Sequence, residues 1–291
     1  ADDILASIYI EKPDVAAFSC YIWNIGHVLK IARELKKVLP GTIIVAGGPE
    51  VSFNTESFSE ENPFIDYILA GEGEVIFRSL IKSIYLDMHI PENLKGIQEE
   101  PAADAERTGG HLLASGSEEI VKDLDSIPSP FTRDMLLSLK DRIVYFEASR
   151  GCPFSCSYCL SSTTAGVRCF SMERVEKELR KLIEYGVRQV KFVDRTFNCS
   201  KYRAKHIFNF VIENGADTNF HFEAAADLFD DEMIEILSYA PPGRIQLEIG
   251  IQSTCAKTLD AVNRAADMEK GFSNIRKLRK LNNIHLHLDL I

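Results

Sequence analysis

Two separate runs of alternating strand-like and helix-like segments set the fold class of this chain. In the first run, residues 14–19 are a short apolar stretch of strand length. Residues 24–39 then repeat apolar side chains at helical spacing, through Ile25, Val28, Leu29, Ala32, Leu35 and Leu39. Pro40-Gly41 stops that helix, and the β-branched residues 42–46 run into Gly47-Gly48-Pro49. Residues 65–70 read as a further strand and 75–85 as a further helix. Strands joined by helices pair in parallel and need cover on both faces, so residues 1–85 are expected to form a Rossmann-like α/β domain.

A second alternating series begins at Arg142. Its strands are expected at 143–148, 189–194, 219–224, 244–250 and 284–291, and its helices at 172–185, 201–214, 231–238 and 267–281. Ser171 is placed to cap the first of these helices and Gly186 to stop it. Units of this length suit a (β/α) barrel or part of one, in which functional residues gather at the carboxyl ends of the strands. Residues 86–141, punctuated by Pro91, Pro101, Gly109, Gly110, Gly116, Pro128 and Pro130, read as a linker with one or two short hairpins. Both ends read as cut. The chain opens on Ala1-Asp2-Asp3 at a helix and stops at Ile291 inside an apolar strand. The first domain is therefore expected to be truncated at its N-terminus and the barrel, over residues 142–291, at its C-terminus.

Composition narrows the function. The chain has 291 residues, enough for two domains, and a net charge of −10 that disfavours an extended phosphate-binding surface. Nucleic acid is thus an improbable partner. No apolar run has the length of a membrane span, and no signal peptide is visible. Of the 7 cysteines, Cys152, Cys156 and Cys159 crowd together and the rest are scattered. That is no disulfide framework; it fits a metal site in a reducing, cytoplasmic setting.

The crowded cysteines lie in Gly151-Cys152-Pro153-Phe154-Ser155-Cys156-Ser157-Tyr158-Cys159, directly after the first strand of the second series. Thiolates are soft ligands that select zinc or iron–sulfur centres. Structural zinc takes four protein ligands, and only three are clustered here. A cubane held by three cysteines leaves one iron open for another ligand. The alternatives are a zinc loop completed by Cys169 or a histidine, and three buried thiols without a ligand.

This spacing, the aromatic residue before the last cysteine, and its place after the first barrel strand resemble the radical S-adenosylmethionine (SAM) superfamily. Lys191-Phe192-Val193-Asp194-Arg195-Thr196-Phe197-Asn198 and Leu247-Glu248-Ile249-Gly250-Ile251-Gln252-Ser253 bring the likeness closest to its cobalamin-binding members. The resemblance implies that Cys152, Cys156 and Cys159 hold a [4Fe–4S] cluster whose open iron chelates the amine and carboxylate of SAM. It places Tyr158 beside the adenine. It matches Glu223, Gln252, Arg264 and Asp289 to cofactor contacts at other strand ends. The family's Gly-Gly-Glu-like turn after the second strand is replaced here by residues 194–198, so Asp194 is the candidate to meet the methionyl amine. The plain alternatives are ion pairs of Glu223 and Asp289 with Arg264 or Arg244, and a helix cap for Gln252. Cys169, Cys199 and Cys255 read as buried thiols, and His285, His287 and Asp289 share one strand face.

In the first domain, Phe18-Ser19-Cys20 and Gly47-Gly48 resemble cobalamin-binding domains, in which a small polar residue and a Gly-Gly pair face the buried nucleotide tail of the corrin. Ser19, Gly47 and Gly48 are the candidate contacts, at the strand ends where such sheets bind ligands. The Asp-x-His-x-x-Gly signature is not in the sequence, and His27 does not supply it. Loss of the cofactor, or service as a lid, stays open. Trp23 reads as a core or interface residue, with contact to a bound ring as the alternative.

The expected protein is therefore a radical SAM enzyme acting on an unknown substrate, fed by an electron donor such as a flavodoxin or ferredoxin. Methyl transfer follows if cobalamin is bound; cyclisation, rearrangement or oxidation is the rival. A zinc-stabilised RNA-binding module is the alternative of another class.

Overall fold

A computed structural model describes residues 2–85, 120–139, 141–163 and 166–290, and the backbone of 111–114. The chain divides into two compact units, Ala1–Lys122 and Asp123–Ile291.

The first unit runs α1 (Asp2–Glu11), β1 (Val15–Ser19), α2 (Ile25–Val38), β2 (Ile43–Gly47), α3 (Pro49–Ser52), α4 (Thr55–Glu61), β3 (Tyr67–Ala70), α5 (Gly73–Tyr85) and β4 (His111–Ala114). Its four strands form one parallel sheet in the order β1-β2-β3-β4. Side chains alternate across the sheet, so successive residues feed different cores. Ile44, Ala46 and Ile68 join Val28, Ala32 and Leu35 of α2, with Leu5 and Ile8 of α1 packed against them. Val45 and Leu69 join Ile76 and Leu80 of α5. The sheet is covered on both faces, as expected.

The second unit begins earlier than its first barrel strand. It contains α6 (Arg133–Ser138), β5 (Ile143–Phe146), β6 (Ser149–Gly151), β7 (Val167–Cys169), α7 (Met172–Glu184), β8 (Gln189–Phe192), α8 (Lys201–Asn214), β9 (Asn219–Ala224), α9 (Asp231–Ser238), β10 (Ile245–Gln252), α10 (Ala256–Ala261), α11 (Met268–Leu281) and β11 (His285–Leu290). Five strands make a parallel sheet in the order β11-β10-β9-β8-β5. Ser171 caps α7 by accepting from the Arg174 amide, and Gly186 follows it at φ +69.

The stretch read as linker is divided between the units. β4 extends the first sheet beside β3, while Val121 donates to Glu72 at 2.9 Å. Leu124 and Leu136 are fully enclosed, and Ser129 donates to Glu178 of α7 at 2.7 Å. Two apolar anchors and a handful of local hydrogen bonds suffice to order a short segment without regular periodicity, which is why the sequence pattern does not display it.

The apolar face of the second sheet rests on an aromatic floor. Phe192, Phe197 and Phe208 stand around Phe222 at centroid distances of 4.5, 4.4 and 5.1 Å. Such pairs add ~0.5–1.5 kcal/mol each beyond burial, enough to hold β8 and β9 in one register. The opposite face carries polar side chains in rows. Lys191 stands beside His221, which stands beside Gln246 and then His285. One pleat higher, Glu223, Glu248 and His287 are neighbours, and Gly250 stands opposite Asp289. Among the described residues no helix is long and apolar enough to cross a membrane.

Candidate functional site

The three cysteines sit in the loop between β6 and β7, two short antiparallel strands that close its base. Gly151 takes φ +101 at that base, and a β-carbon there would strike the Gly166 carbonyl oxygen, so only glycine fits. Inside the loop, the Cys159 amide donates to the Cys156 carbonyl at 3.1 Å and the Ser162 amide to the Cys159 carbonyl at 3.0 Å. Cys156 is buried, and Cys152 and Cys159 are partly exposed. Two of the three cysteines are therefore open to solvent.

Two flanking structures fix the loop. Beneath it, Asp194 is 2% exposed and accepts from the Ala148 amide at 2.9 Å and from the Ser149 hydroxyl. Burial pushes this carboxyl up to about 6, against the pull of those two donors. Beside it, the turn after α10 is stitched to the loop. Ser157 donates to the Val262 carbonyl at 3.0 Å, and Arg264 lies over the Phe154 ring at 5.2 Å. Arg264 also reaches the Cys156 sulfur at 3.8 Å and the Gly250 carbonyl at 3.1 Å.

Gly250 and Gln252 mark an irregularity where β10 leaves its register with β11. Gln252 is in the left-handed region at φ +68, and its side-chain nitrogen curls back over Gly250. The Gln252 Oε1 and Arg264 Nε atoms are buried without a partner. Gly250, Ile251, Arg264, Ala226 and Asp227 line a small open cleft beside Arg264. Buried polar atoms of this kind ordinarily have partners, so these two are suited to a polar ligand.

Glu223 and Asp289 take none of the partners considered from sequence. Glu223 lies 3.6 Å from Lys191, which also lies 3.1 Å from Glu248. Burial pushes the Glu223 carboxyl up while Lys191 draws it back. Burial likewise works against charge on Lys191, but Glu248 and then Glu223 hold its ammonium above the ordinary value. His221 is within 2.9 Å of Glu248 but out of line for a hydrogen bond, and burial lowers its pKa. Asp289 is 3.0 Å from His287. Arg244 instead donates to the Val211 and Ile212 carbonyls at the end of α8. Gln252 caps no helix. Tyr158 is 51% exposed, free to flank a ligand. Cys169 and Cys255 are exposed and Cys199 partly so, against the expectation of buried thiols: Cys169 and Cys199 end short elements, and Cys255 stands just before α10.

In the first unit, Ser19 and Gly47 are register partners at the carboxyl ends of β1 and β2. The Ser19 carbonyl accepts from Asn24 at 2.8 Å. Gly48 has φ +109, and a β-carbon on it would lie 2.7 Å from the Cys20 carbonyl oxygen, so this glycine is demanded by the chain's own backbone. Trp23 is 74% exposed and stacks on Tyr21 at 4.6 Å, so it belongs to no core.

Residues 1–81 match the B12 binding domain and residues 146–290 the radical SAM superfamily. The chain belongs to the radical SAM superfamily. It is 28% identical to the cobalamin-dependent radical SAM methyltransferase TokK of Streptomyces tokunonensis, over 97% of this chain and 42% of TokK. The cobalamin-dependent SAM radical enzyme OxsB shares its fold, with TM-score 0.76, 21% identity, and cover of 100% of this chain and 42% of OxsB. The methyltransferase TsrM from Kitasatospora setae, solved with cobalamin and a [4Fe–4S] cluster, matches with TM-score 0.73 at 17% identity, over 99% of this chain and 60% of TsrM. The chain thus spans less than half the length of TokK.

The donor set fits the cofactors of a B12-binding radical SAM protein. Among the described residues, no three His, Cys, Asp or Glu side chains converge on one ion position. A cubane does not ask for that, because each thiolate takes a separate iron. The partnerless Gln252 and Arg264 atoms suit a ligand rich in polar groups, such as SAM. Sequence reasoning missed Ser149, Thr196, Asn263, Lys191 and Glu248. Lys191, Thr196 and Glu248 lie in motifs singled out from sequence, but their partners, like those of Ser149 and Asn263, become visible only once the chain is folded.

Proposed function

We propose that the full-length protein is a cobalamin-dependent radical SAM methyltransferase. Bound on Cys152, Cys156 and Cys159, the [4Fe–4S] cluster would supply one electron to SAM and release a 5′-deoxyadenosyl radical for hydrogen abstraction. Cobalamin in the N-terminal domain would supply a cobalt centre able to carry a methyl group. The observation that carries the reading is the cysteine loop joined, through Arg264, to the end of β10, where the buried Gln252 Oε1 and Arg264 Nε atoms lack partners.

The chain's own residues have distinct parts. Arg264 bridges loop and cleft, placed to meet a carboxylate. Gln252 offers an acceptor to a ribose or an amine. Tyr158 flanks the open side of the loop. Glu223 and Asp289 add negative charge on the polar face of the sheet, while Asp194 holds the loop from below instead of facing the ligand. Ser19, Gly47 and Gly48 are the proposed contacts for the nucleotide tail. The electron would come from a flavodoxin or ferredoxin.

Anaerobic reconstitution of the full-length protein with iron, sulfide and cobalamin tests this. Methyl transfer consumes SAM in two ways, so 5′-deoxyadenosine and S-adenosylhomocysteine should both form, the second only with cobalamin. Turnover giving 5′-deoxyadenosine alone, indifferent to cobalamin, would favour cyclisation, rearrangement or oxidation instead.

A further inference from the structure

Thr196 occupies the position before the short turn Phe197–Cys199, where a threonine normally accepts a backbone N–H with its side chain; here it makes no such bond. The residue is only 6% exposed. Its hydroxyl donates to the Arg195 carbonyl at 2.9 Å, and its oxygen lies 3.6 Å from the Cys152 sulfur. With a protonated thiol either atom can donate across that second contact. A thiolate bound to iron has no proton, so the hydroxyl must then be the donor, its one proton turning from the Arg195 carbonyl to the sulfur.

Across the loop, Arg264 supplies a second donor. Its Nη1 reaches the Cys156 sulfur at 3.8 Å, and the guanidinium is steadied by the Gly250 carbonyl and the Phe154 ring. Two of the three cysteine sulfurs thus have a hydrogen-bond donor beside them, one from the loop after β8 and one from the turn after α10. Donors to cluster sulfurs stabilise the more electron-rich reduced state and raise the potential, and a low local dielectric strengthens them.

We propose that Thr196 and Arg264 are positioning residues that set the reduction potential of the cluster by donating to the Cys152 and Cys156 thiolates. This rests on the radical SAM reading. It assigns Thr196 a part that no substrate contact explains, and gives Arg264 one that operates before SAM arrives.

The test is a reductive titration of the anaerobically reconstituted full-length protein, followed by electron paramagnetic resonance and carried out without SAM. Thr196→Val should move the midpoint to more negative potential at unchanged iron and sulfide content, and Thr196→Ser should restore it. Arg264→Gln should move it in the same direction, and the double variant further. If Thr196→Val loads poorly, Thr196→Ala removes the same hydroxyl and is read the same way. A wild-type midpoint in fully loaded Thr196→Val or Thr196→Ala would overturn the assignment. A wild-type protein that takes up no cluster would overturn the radical SAM reading itself, which separates the two failures.

Discussion

Asn263 grips Ser155 at two points, donating from its side-chain nitrogen to the carbonyl oxygen at 2.9 Å and to the hydroxyl at 2.7 Å. Ser155 lies between the first two cysteines, and Asn263 follows α10. The loop that carries the thiols is therefore anchored to the segment that carries Arg264. Asn263 has φ +54, a left-handed conformation that asparagine tolerates better than most residues.

Asn263→Ala should loosen the loop. It removes both bonds and leaves a less tolerant residue in the left-handed region, a loss of ~1–3 kcal/mol. Asn263→Gly relieves the backbone but not the lost bonds. Both variants should give up iron to a chelator faster than the wild type, with alanine the worse. Equal release rates in all three would show the grip to be immaterial.

Asp194 makes a pH prediction whose sign is fixed. Its folded pKa of about 6 lies above the ordinary aspartate value of 3.8, so the folded state holds its proton more tightly than the unfolded state. Stability from this group is full below about pH 4, falls as pH rises toward 6, and is flat beyond, a span of ~3 kcal/mol. Thermal unfolding of Asp194→Asn should lose that slope between pH 4 and 6. Asp194→Val should be destabilised throughout, since the Ala148 amide is left buried without an acceptor.

Gly151→Ala should separate cluster assembly from folding. The clash with the Gly166 carbonyl falls at the end of the small β6–β7 sheet, outside the five-stranded sheet. Circular dichroism should stay close to wild type while iron uptake after reconstitution falls severalfold. Normal iron uptake would mean the hairpin can open without cost to the loop.

Lys191→Met should destabilise the second unit by ~1–3 kcal/mol, because Glu223 and Glu248 then face each other without the ammonium that links them. Lys191→Met with Glu248→Gln should recover part of it. Additive losses in chemical denaturation would show that the three groups do not act as one network.

Much of this was legible in the sequence. The alternation of apolar runs marks the parallel strands, and the cysteine spacing marks the loop, because both depend on neighbours in the chain. What was not legible depends on register. Glu223 meets Lys191 only because β8 and β9 pair with Lys191 beside His221. Asp194 read as a ligand contact, yet it turns under Ala148, a partner 46 residues away. The β6–β7 pair escaped because three-residue strands carry no periodicity, and β4 because its strand lies in a polar, proline-rich stretch.

Formation of 5′-deoxyadenosine by anaerobically reconstituted full-length protein, compared with its Cys156→Ala variant, tests the central claim most directly. The account predicts the product from the wild type, given SAM and a reductant, and none above background from Cys156→Ala. Undiminished product from that variant, or a wild-type protein that binds zinc and no iron, would contradict it.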